Sequence, residues 1–181
     1  MSTQRVKTIK QYFPIESYSY DSVTSTASIV ANTTYTNLLF ANVVVYLNST
    51  TQYSNYKTSV KTISGNTFTA FVPYNQYLQS LSHFSVDGYL PGQTGTQTEL
   101  TLPRGTGCDT VIQSYVTGTG GASYKIDVSL DASHWINLTS MSHSTSNGNT
   151  LYTLVSPGWA YMRANLTSVG ANTNLVVMSS E

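Results

Sequence analysis

The chain has 181 residues, and its eight Lys and Arg balance its eight Asp and Glu, so the formal net charge at neutral pH is zero. Only 9% of the residues are charged, whereas about 25% is ordinary for a soluble domain. This excludes a general nucleic-acid binder, which needs a basic surface. With 40% hydrophobic and 12% aromatic residues the chain can bury a core, which excludes a disordered protein.

Residues 1–20 are predicted to form an N-terminal arm. The chain start is basic through Arg5, Lys7 and Lys10 and has no apolar run behind it, so it does not resemble a secretory signal. These three cations would dock the arm to an acidic partner or to a neighbouring subunit. A frayed, solvated terminus is the alternative interpretation.

Aromatic residues crowd the first third of the chain. Tyrosine stacks on sugar rings and anchors protein interfaces, because it combines apolar area with a polar tip. On a loop or sheet edge such residues would form a glycan platform, whereas simple cross-strand packing is the alternative. The candidate binding residues are Tyr12, Phe13, Tyr18, Tyr20, Tyr53 and Tyr56.

Residues 21–97 are predicted to form an N-terminal β domain. The run 43–47 is apolar and of strand length, and Ser64, Gly65 and Asn66 separate two strand-like segments as a hairpin turn. Only the segment after Pro73 shows helical spacing, enough for one or two turns. The stretch 91–97 is rich in Gly and Thr and is predicted to be a linker.

Residues 98–181 are predicted to form a C-terminal β-sandwich. Tyr124, Ile126 and Val128 alternate with polar residues, and the same period of two recurs over 160–167. Turn-forming residues interrupt the pattern at short intervals. The fold class is therefore all-β and antiparallel, with two small sandwiches in series as the first interpretation and one larger jelly roll as the alternative.

Signatures of chemistry are sparse. Cys108 is the only cysteine, so no disulfide forms within the chain, and it is expected to be a small buried or loop thiol. The three histidines lack the spacing of metal ligands, and Asp131, close to His134, is explained as a carboxylate that caps its own turn. A pair of glycosidase carboxylates, such as Asp87 and Asp109, has no more support than chance. We therefore predict no enzyme, no cofactor and no metal. The histidines are His83, His134 and His143.

The C-terminal segment contains a Ser-x-Asp-x-Ser-x-Trp turn from Ser129 to Trp135, and an aromatic-x-Arg step from Tyr161 to Arg163. In these features residues 108–180 resemble small β-sandwich modules of virion structural proteins from viruses of bacteria and archaea, which recur in extracellular carbohydrate-binding proteins. No binding residue is carried over from the resemblance. Trp135 and Trp159, each after a turn, are expected to plug the core of this domain, and exposed rings that stack on a ligand are the alternative.

These features favour a non-enzymatic structural protein on the exterior of a virus particle: a capsid decoration, turret, fibre or tail component. Such a protein works by repeated packing, so we expect a symmetric homo-oligomer that contacts other virion proteins. No nucleic-acid partner and no membrane span are expected, and the protein would assemble into the virion in the host cytoplasm. The alternative is a glycan-binding or host-adhesion module that uses its surface aromatics.

Overall fold

The computed structural model describes residues 6–49, 55–96, 110–144, 150–155 and 158–180. The protein is all-β, and the strand pairings of the described residues are antiparallel, which confirms the expected fold class. The strands are β1 (Val6–Thr8), β2 (Lys10–Asp21), β3 (Thr26–Ala31), β4 (Val44–Ser49), β5 (Tyr56–Ser64), β6 (Thr67–Phe71), β7 (Leu81–Asp87), β8 (Thr110–Gly118), β9 (Ala122–Ser129), β10 (Ile136–His143), β11 (Thr150–Val155), β12 (Tyr161–Val169) and β13 (Thr173–Ser180).

The chain divides into two compact units. The first is the continuous segment Lys10–Asp87, and the second combines the chain before Lys10 with the chain from Gly88 onward. The first unit is thus inserted into the sequence of the second. The sequence-based boundaries, after residues 20 and 97, differ because most of the predicted arm belongs to β1 and β2. β1 pairs with β13, at the far end of the chain.

The first unit is a closed barrel with the strand order β2-β3-β6-β5-β4-β7, where the sequence analysis expected a small sandwich. Two strands change partner along their length. β2 pairs with β7 from Lys10 to Pro14 and with β3 from Ile15 onward. β5 pairs with β4 in its first half and with β6 in its second half. Closure gives every strand a neighbour on both sides, so the barrel has no open sheet edge.

Phenylalanine rings fill the barrel core. Phe13 stacks on Phe84 with ring centroids 5.0 Å apart, and Phe68 meets Phe84 edge-on at 5.0 Å. These side chains point inward from β2, β6 and β7, because alternate residues of a strand face opposite sides. Phe13 is only 7% exposed. It is therefore a core residue and not the surface binding residue that the sequence analysis expected.

Local turn and cap signals explain the connections of the barrel. Gly65, between β5 and β6, has a φ of 58°, a conformation that glycine adopts without a side-chain clash. The segment after Pro73 forms one turn of 3-10 helix over Asn75–Leu78, at the predicted place. The sequence analysis missed a helix, α1 (Thr33–Thr36). Asn32 caps it, since its side-chain oxygen accepts a hydrogen bond from the Thr34 N–H at 2.9 Å.

The second unit contains two antiparallel sheets, with the orders β1-β13-β8-β11 and β10-β9-β12. Buried side chains from both sheets form a single hydrophobic core. Ile112 and Leu175 enter it from the four-stranded sheet, and Ile126 and Met162 from the three-stranded sheet. β9 and β12 confirm the alternation predicted from the sequence, because their core residues occupy every second position as far as Leu166, where the register of β12 shifts.

The stretch predicted as a linker packs onto the second unit over its described residues, 91–96. The Gly92 N–H donates to the Val169 carbonyl at 3.0 Å, and Gly95 exchanges two backbone hydrogen bonds with Leu166, at 2.8 and 2.9 Å. Tyr89, just before this stretch, pairs with Leu175 of β13. Gly92 and Gly95 both have a positive φ, which glycine adopts without a side-chain clash, and residues 91–96 are not a free linker.

Candidate functional site

One end of the barrel carries a cluster of three tyrosines, Tyr56, Tyr74 and Tyr77, which we call the tyrosine cluster. Tyr56 opens β5, and Tyr74 and Tyr77 flank and occupy the 3-10 turn. The Tyr56 and Tyr77 rings stack with centroids 4.5 Å apart and an interplanar angle of 24°. The Tyr74 ring lies 6.2 Å from that of Tyr77 and is the most open, since Tyr74 is 60% exposed.

Residues on neighbouring segments of the barrel add a hydrogen bond near the tyrosine cluster and further exposed apolar side chains. The Tyr20 hydroxyl donates to the Pro73 carbonyl at 3.0 Å, which ties the end of β2 to the segment that enters the 3-10 turn. Phe71 at the end of β6 and Val23 in the β2–β3 turn are both exposed. Thr26 is paired with Phe71, which places that ring beside the same turn. Exposed aromatic surface of this kind is typical of binding sites and interfaces.

The hydroxyl of Tyr56 keeps its proton at neutral pH. Burial raises its pKa above the ordinary value for tyrosine, and the nearby Tyr77 raises the pKa further. The Tyr56 hydroxyl is therefore uncharged, and the rings of the cluster offer apolar faces with hydroxyl tips. Such a surface suits sugar rings or a protein side chain better than it suits an ion.

The predicted aromatic residues are not gathered at one place. Tyr56 belongs to the tyrosine cluster, and Tyr20 adjoins it. Tyr12 is 61% exposed and meets the His83 ring edge-on at 5.4 Å, away from the cluster on the β2–β7 pair. Tyr18 is partly exposed on β2. Tyr53 lies outside the described residues.

The basic residues of the predicted arm are also separated. Arg5 lies outside the described residues, and Lys7 is the middle residue of β1, paired with Ser179. Lys10 opens β2, where its Nζ lies 3.6 Å from Asp87 Oδ1 and 4.2 Å from the centroid of the Tyr46 ring. Lys10 is thus engaged within the barrel, and residues 10–20 are strand rather than free arm.

A second polar and aromatic surface lies on the three-stranded sheet of the second unit. The Arg163 guanidinium lies 4.0 Å from the centroid of the Trp135 ring, a cation–π contact. Beneath it, Asp127 Oδ2 accepts hydrogen bonds from Asn165 Nδ2 at 2.9 Å and from Arg163 Nε at 3.4 Å. Trp159 packs against the core as predicted, but Trp135 covers Arg163 instead of plugging the core. The positions of Trp135 and Arg163 in the sequence do not predict this cation–π contact.

The turn before Trp135 confirms the predicted role of Asp131. Its Oδ1 accepts from the backbone N–H groups of Ser133 and His134, both at 2.8 Å, and its Oδ2 lies 2.7 Å from His134 Nδ1. The hydrogen bond from the His134 N–H is the main cause that lowers the pKa of Asp131. The carboxylate in turn raises the pKa of His134. Both groups are exposed, so the arrangement is a turn cap.

A Ser–His pair, missed by the sequence analysis, lies in the core of the second unit. Ser114 Oγ is 2.8 Å from His143 Nε2 and accepts a hydrogen bond from the Tyr124 hydroxyl at 2.7 Å. All three residues are buried, Ser114 and Tyr124 completely. Since no substrate reaches such a site in the folded protein, we interpret the trio as a structural network that fixes the core. Twenty-eight residues separate the pair in sequence, so no local motif points to it.

The described residues also bear on metal binding and on membrane spans. Within the described chain, no group of three or more His, Cys, Asp or Glu side chains is placed to hold a metal ion. In those residues neither helical segment has the length or the apolar character of a bilayer span. Cys108 and Asp109 lie outside the described residues.

A scan of protein-family models and searches of curated proteins and of solved structures found no match to the chain. The resemblance of residues 108–180 to virion modules therefore stays a prediction.

Proposed function

We propose that this chain is a non-enzymatic structural protein on the exterior of a virus particle. The observation that carries the proposal is the combination of a closed, edge-free barrel with a two-sheet unit in a chain whose surface is neutral and hydroxyl-rich. A closed barrel resists unwanted strand pairing at the high local concentration of a repeated shell protein. Where hydroxyls and amides solvate a surface, the interactions of that surface change little with salt concentration or pH, because few charged groups take part.

The second unit is, in this proposal, a β-sandwich of the type used by particle proteins. Its two sheets contribute to one shared core, as the two layers of a sandwich do. In this proposal the residues that precede β2 dock the protein to the particle. Lys10 is not among them, because it contacts Asp87 and Tyr46 within the barrel. Removing residues 2–5 leaves β1 in place and should weaken attachment to the particle. Unchanged attachment of that truncated protein would contradict the docking role.

Immunogold electron microscopy tests the exterior position. Antibodies raised against the folded protein should label intact particles, and the Phe71→Ser variant, altered at an exposed position, should label equally well. Particles from an infection that lacks the gene are the control. Label that appears only after the particles are opened would overturn the exterior position.

The proposal includes self-association, and β10 is the strand that favours it. β10 is an edge strand, contains no Lys, Arg, Asp or Glu, and exposes Ile136 and Leu138. An uncharged edge with apolar side chains is a ready template for pairing with a second copy. Sedimentation should show a symmetric oligomer for the parent chain and a shift to monomer for the variant Ile136→Lys/Leu138→Lys. A monomeric parent at high micromolar concentration would contradict this part.

The tyrosine cluster favours a second candidate, a glycan-binding or host-adhesion module. Sugar rings present C–H groups on one face, and these pack on aromatic rings held in a fixed orientation. The stack of Tyr56 on Tyr77 holds the two rings in such an orientation, and the open Tyr74 extends the platform.

A glycan array tests this candidate directly. The parent protein should bind a defined set of glycans, and Tyr77→Ala should lower the affinity about tenfold or more. The control is Tyr12→Ala, which removes an exposed tyrosine outside the cluster. An array without any bound glycan, or equal effects of the two substitutions, would refute the candidate.

A further inference from the structure

The outer face of the β10-β9-β12 sheet is polar along its length. Strand register places Asn137 and Arg163 on either side of Asp127, and Ser140 and Asn165 on either side of Lys125. A further row of three serines follows, Ser142, Ser123 and Ser168. Rows on one face of a sheet are about 7 Å apart and neighbouring strands about 4.8 Å, so the three rows form a strip the size of a short oligosaccharide.

Trp135 lies at one end of this strip and is held in place twice. Its indole N–H donates to the Ala132 carbonyl at 3.0 Å, and one ring face covers the Arg163 guanidinium. The residue nevertheless stays half-buried, so the ring keeps a solvent-accessible surface. A rigid aromatic ring beside a polar strip loses little conformational entropy when a ligand binds.

The polar groups of the strip are mixed in kind and nearly balanced in charge. The charge of Arg163 is compensated by Asp127, and both hydrogen bonds recorded on Asp127 engage Oδ2. Asn137, Lys125 and Ser140 are exposed and supply donors and acceptors side by side. Sugar hydroxyls both donate and accept hydrogen bonds, so they match this mixture of groups.

We propose that this strip is a binding site for a neutral saccharide. Trp135 packs on a sugar ring, and Asn137, Asn165 and Lys125 hydrogen-bond its hydroxyls. The site uses no residue of the tyrosine cluster and does not depend on the position of the protein on a particle. Its failure is therefore distinguishable from failure of either function proposed above.

Tryptophan fluorescence provides the test, because the chain has only two tryptophans. In the Trp159→Phe variant, Trp135 is the only reporter. Maltohexaose, cellohexaose and mannohexaose are the probes, and at least one should change the Trp135 emission in a saturable way. Calorimetry with that probe should show affinity about tenfold lower or worse for Trp135→Ala. It should also show a several-fold loss for Asn137→Ala, which removes an exposed side chain that donates a hydrogen bond to the Thr139 carbonyl of its own strand, at 3.2 Å.

Trp159→Phe is the matched control, since it replaces the other tryptophan of the chain, and it should bind the probe as the parent does. The proposal is overturned by three results: no saturable response to any of the three probes, parental affinity in both Trp135→Ala and Asn137→Ala, or binding of the acidic probes sialyllactose and digalacturonate without binding of the neutral ones. Melting temperatures show whether Trp135→Ala is folded, and Asn137→Ala decides the outcome where it is not.

Discussion

Adjacent residues of β2 provide a sharp test of the barrel, because Phe13 points into its core and Tyr12 points out. Phe13 is 7% exposed and Tyr12 is 61% exposed. The Phe13 ring contacts those of Phe84 at 5.0 Å and Tyr35 at 5.2 Å between centroids. If residues 1–20 formed a free arm, neither substitution by alanine would affect folding.

The expected cost of Phe13→Ala follows from these contacts. Burying a phenylalanine side chain contributes about 1.5–3 kcal/mol, and each aromatic pair adds about 0.5–1.5 kcal/mol. The cavity left behind brings the total to about 3–5 kcal/mol. Tyr12→Ala removes an exposed ring with one edge contact, so its cost should stay below about 1 kcal/mol.

Urea unfolding followed by circular dichroism measures the difference. Phe13→Ala should lower the midpoint of the transition that reports on the barrel, whereas Tyr12→Ala should leave it nearly unchanged. Where the two units unfold in separate steps, only one step should shift. Destabilisation by Phe13→Ala that falls within about 0.5 kcal/mol of that by Tyr12→Ala would refute the register of β2.

Two further predictions concern the second unit and one turn of the barrel. Gly88 has a φ of 79°, and a β-carbon there would overlap the carbonyl oxygen of Leu175. Gly88→Ala should therefore lower the melting temperature more than Gly65→Ala, where φ is also positive but space is open; equal shifts would contradict this. Because Asp131 raises the pKa of His134, their pairing stabilises the fold below the ordinary histidine pKa and loses this effect as pH rises through the raised value. In an NMR titration Asp131→Asn should lower the pKa of His134, and an unchanged pKa would disprove the pairing.

The alternation of apolar residues in β9 and β12 was enough to predict both strands and the side that each turns to the core. Turn residues likewise placed the β5–β6 hairpin at Gly65 and the β9–β10 turn at Asp131. These features are local, since backbone geometry and side-chain periodicity over a few residues determine them. These features can therefore be predicted from a single sequence.

Closure of the barrel could not be predicted in the same way. Closure depends on the change of partner within β2, where Pro14 pairs with His83 and the next residue, Ile15, pairs with Ala31. The local sequence around these residues does not determine which strand each one pairs with. The alternation of tyrosine and serine in residues 17–20 fits an exposed strand as well as an arm. The domain boundaries predicted from composition therefore differ from those of the structure, because pairing between strands far apart in sequence determines the boundaries. The pairing of β1 with β13 is one example.

The candidate sites, like the barrel, depend on contacts between distant residues that the sequence did not predict. Tyr56 was identified as a binding candidate from composition, but its stacking partner Tyr77 was assigned only to a helical pattern. Trp135 was expected in the core, because a large apolar residue after a turn usually packs there. Its stacking on Arg163 follows from the register of β12 against β9. That register is known only from the three-dimensional structure.

Quantitative mass spectrometry of gradient-purified particles, with brief protease treatment of the intact particles, tests the central proposal most directly. The proposal predicts that peptides of this chain co-purify with the known shell proteins in a fixed copy number, and that the protease releases some of them without breaking the shell. Absence of the chain from purified particles, or a copy number that varies from one preparation to the next, would contradict the proposal.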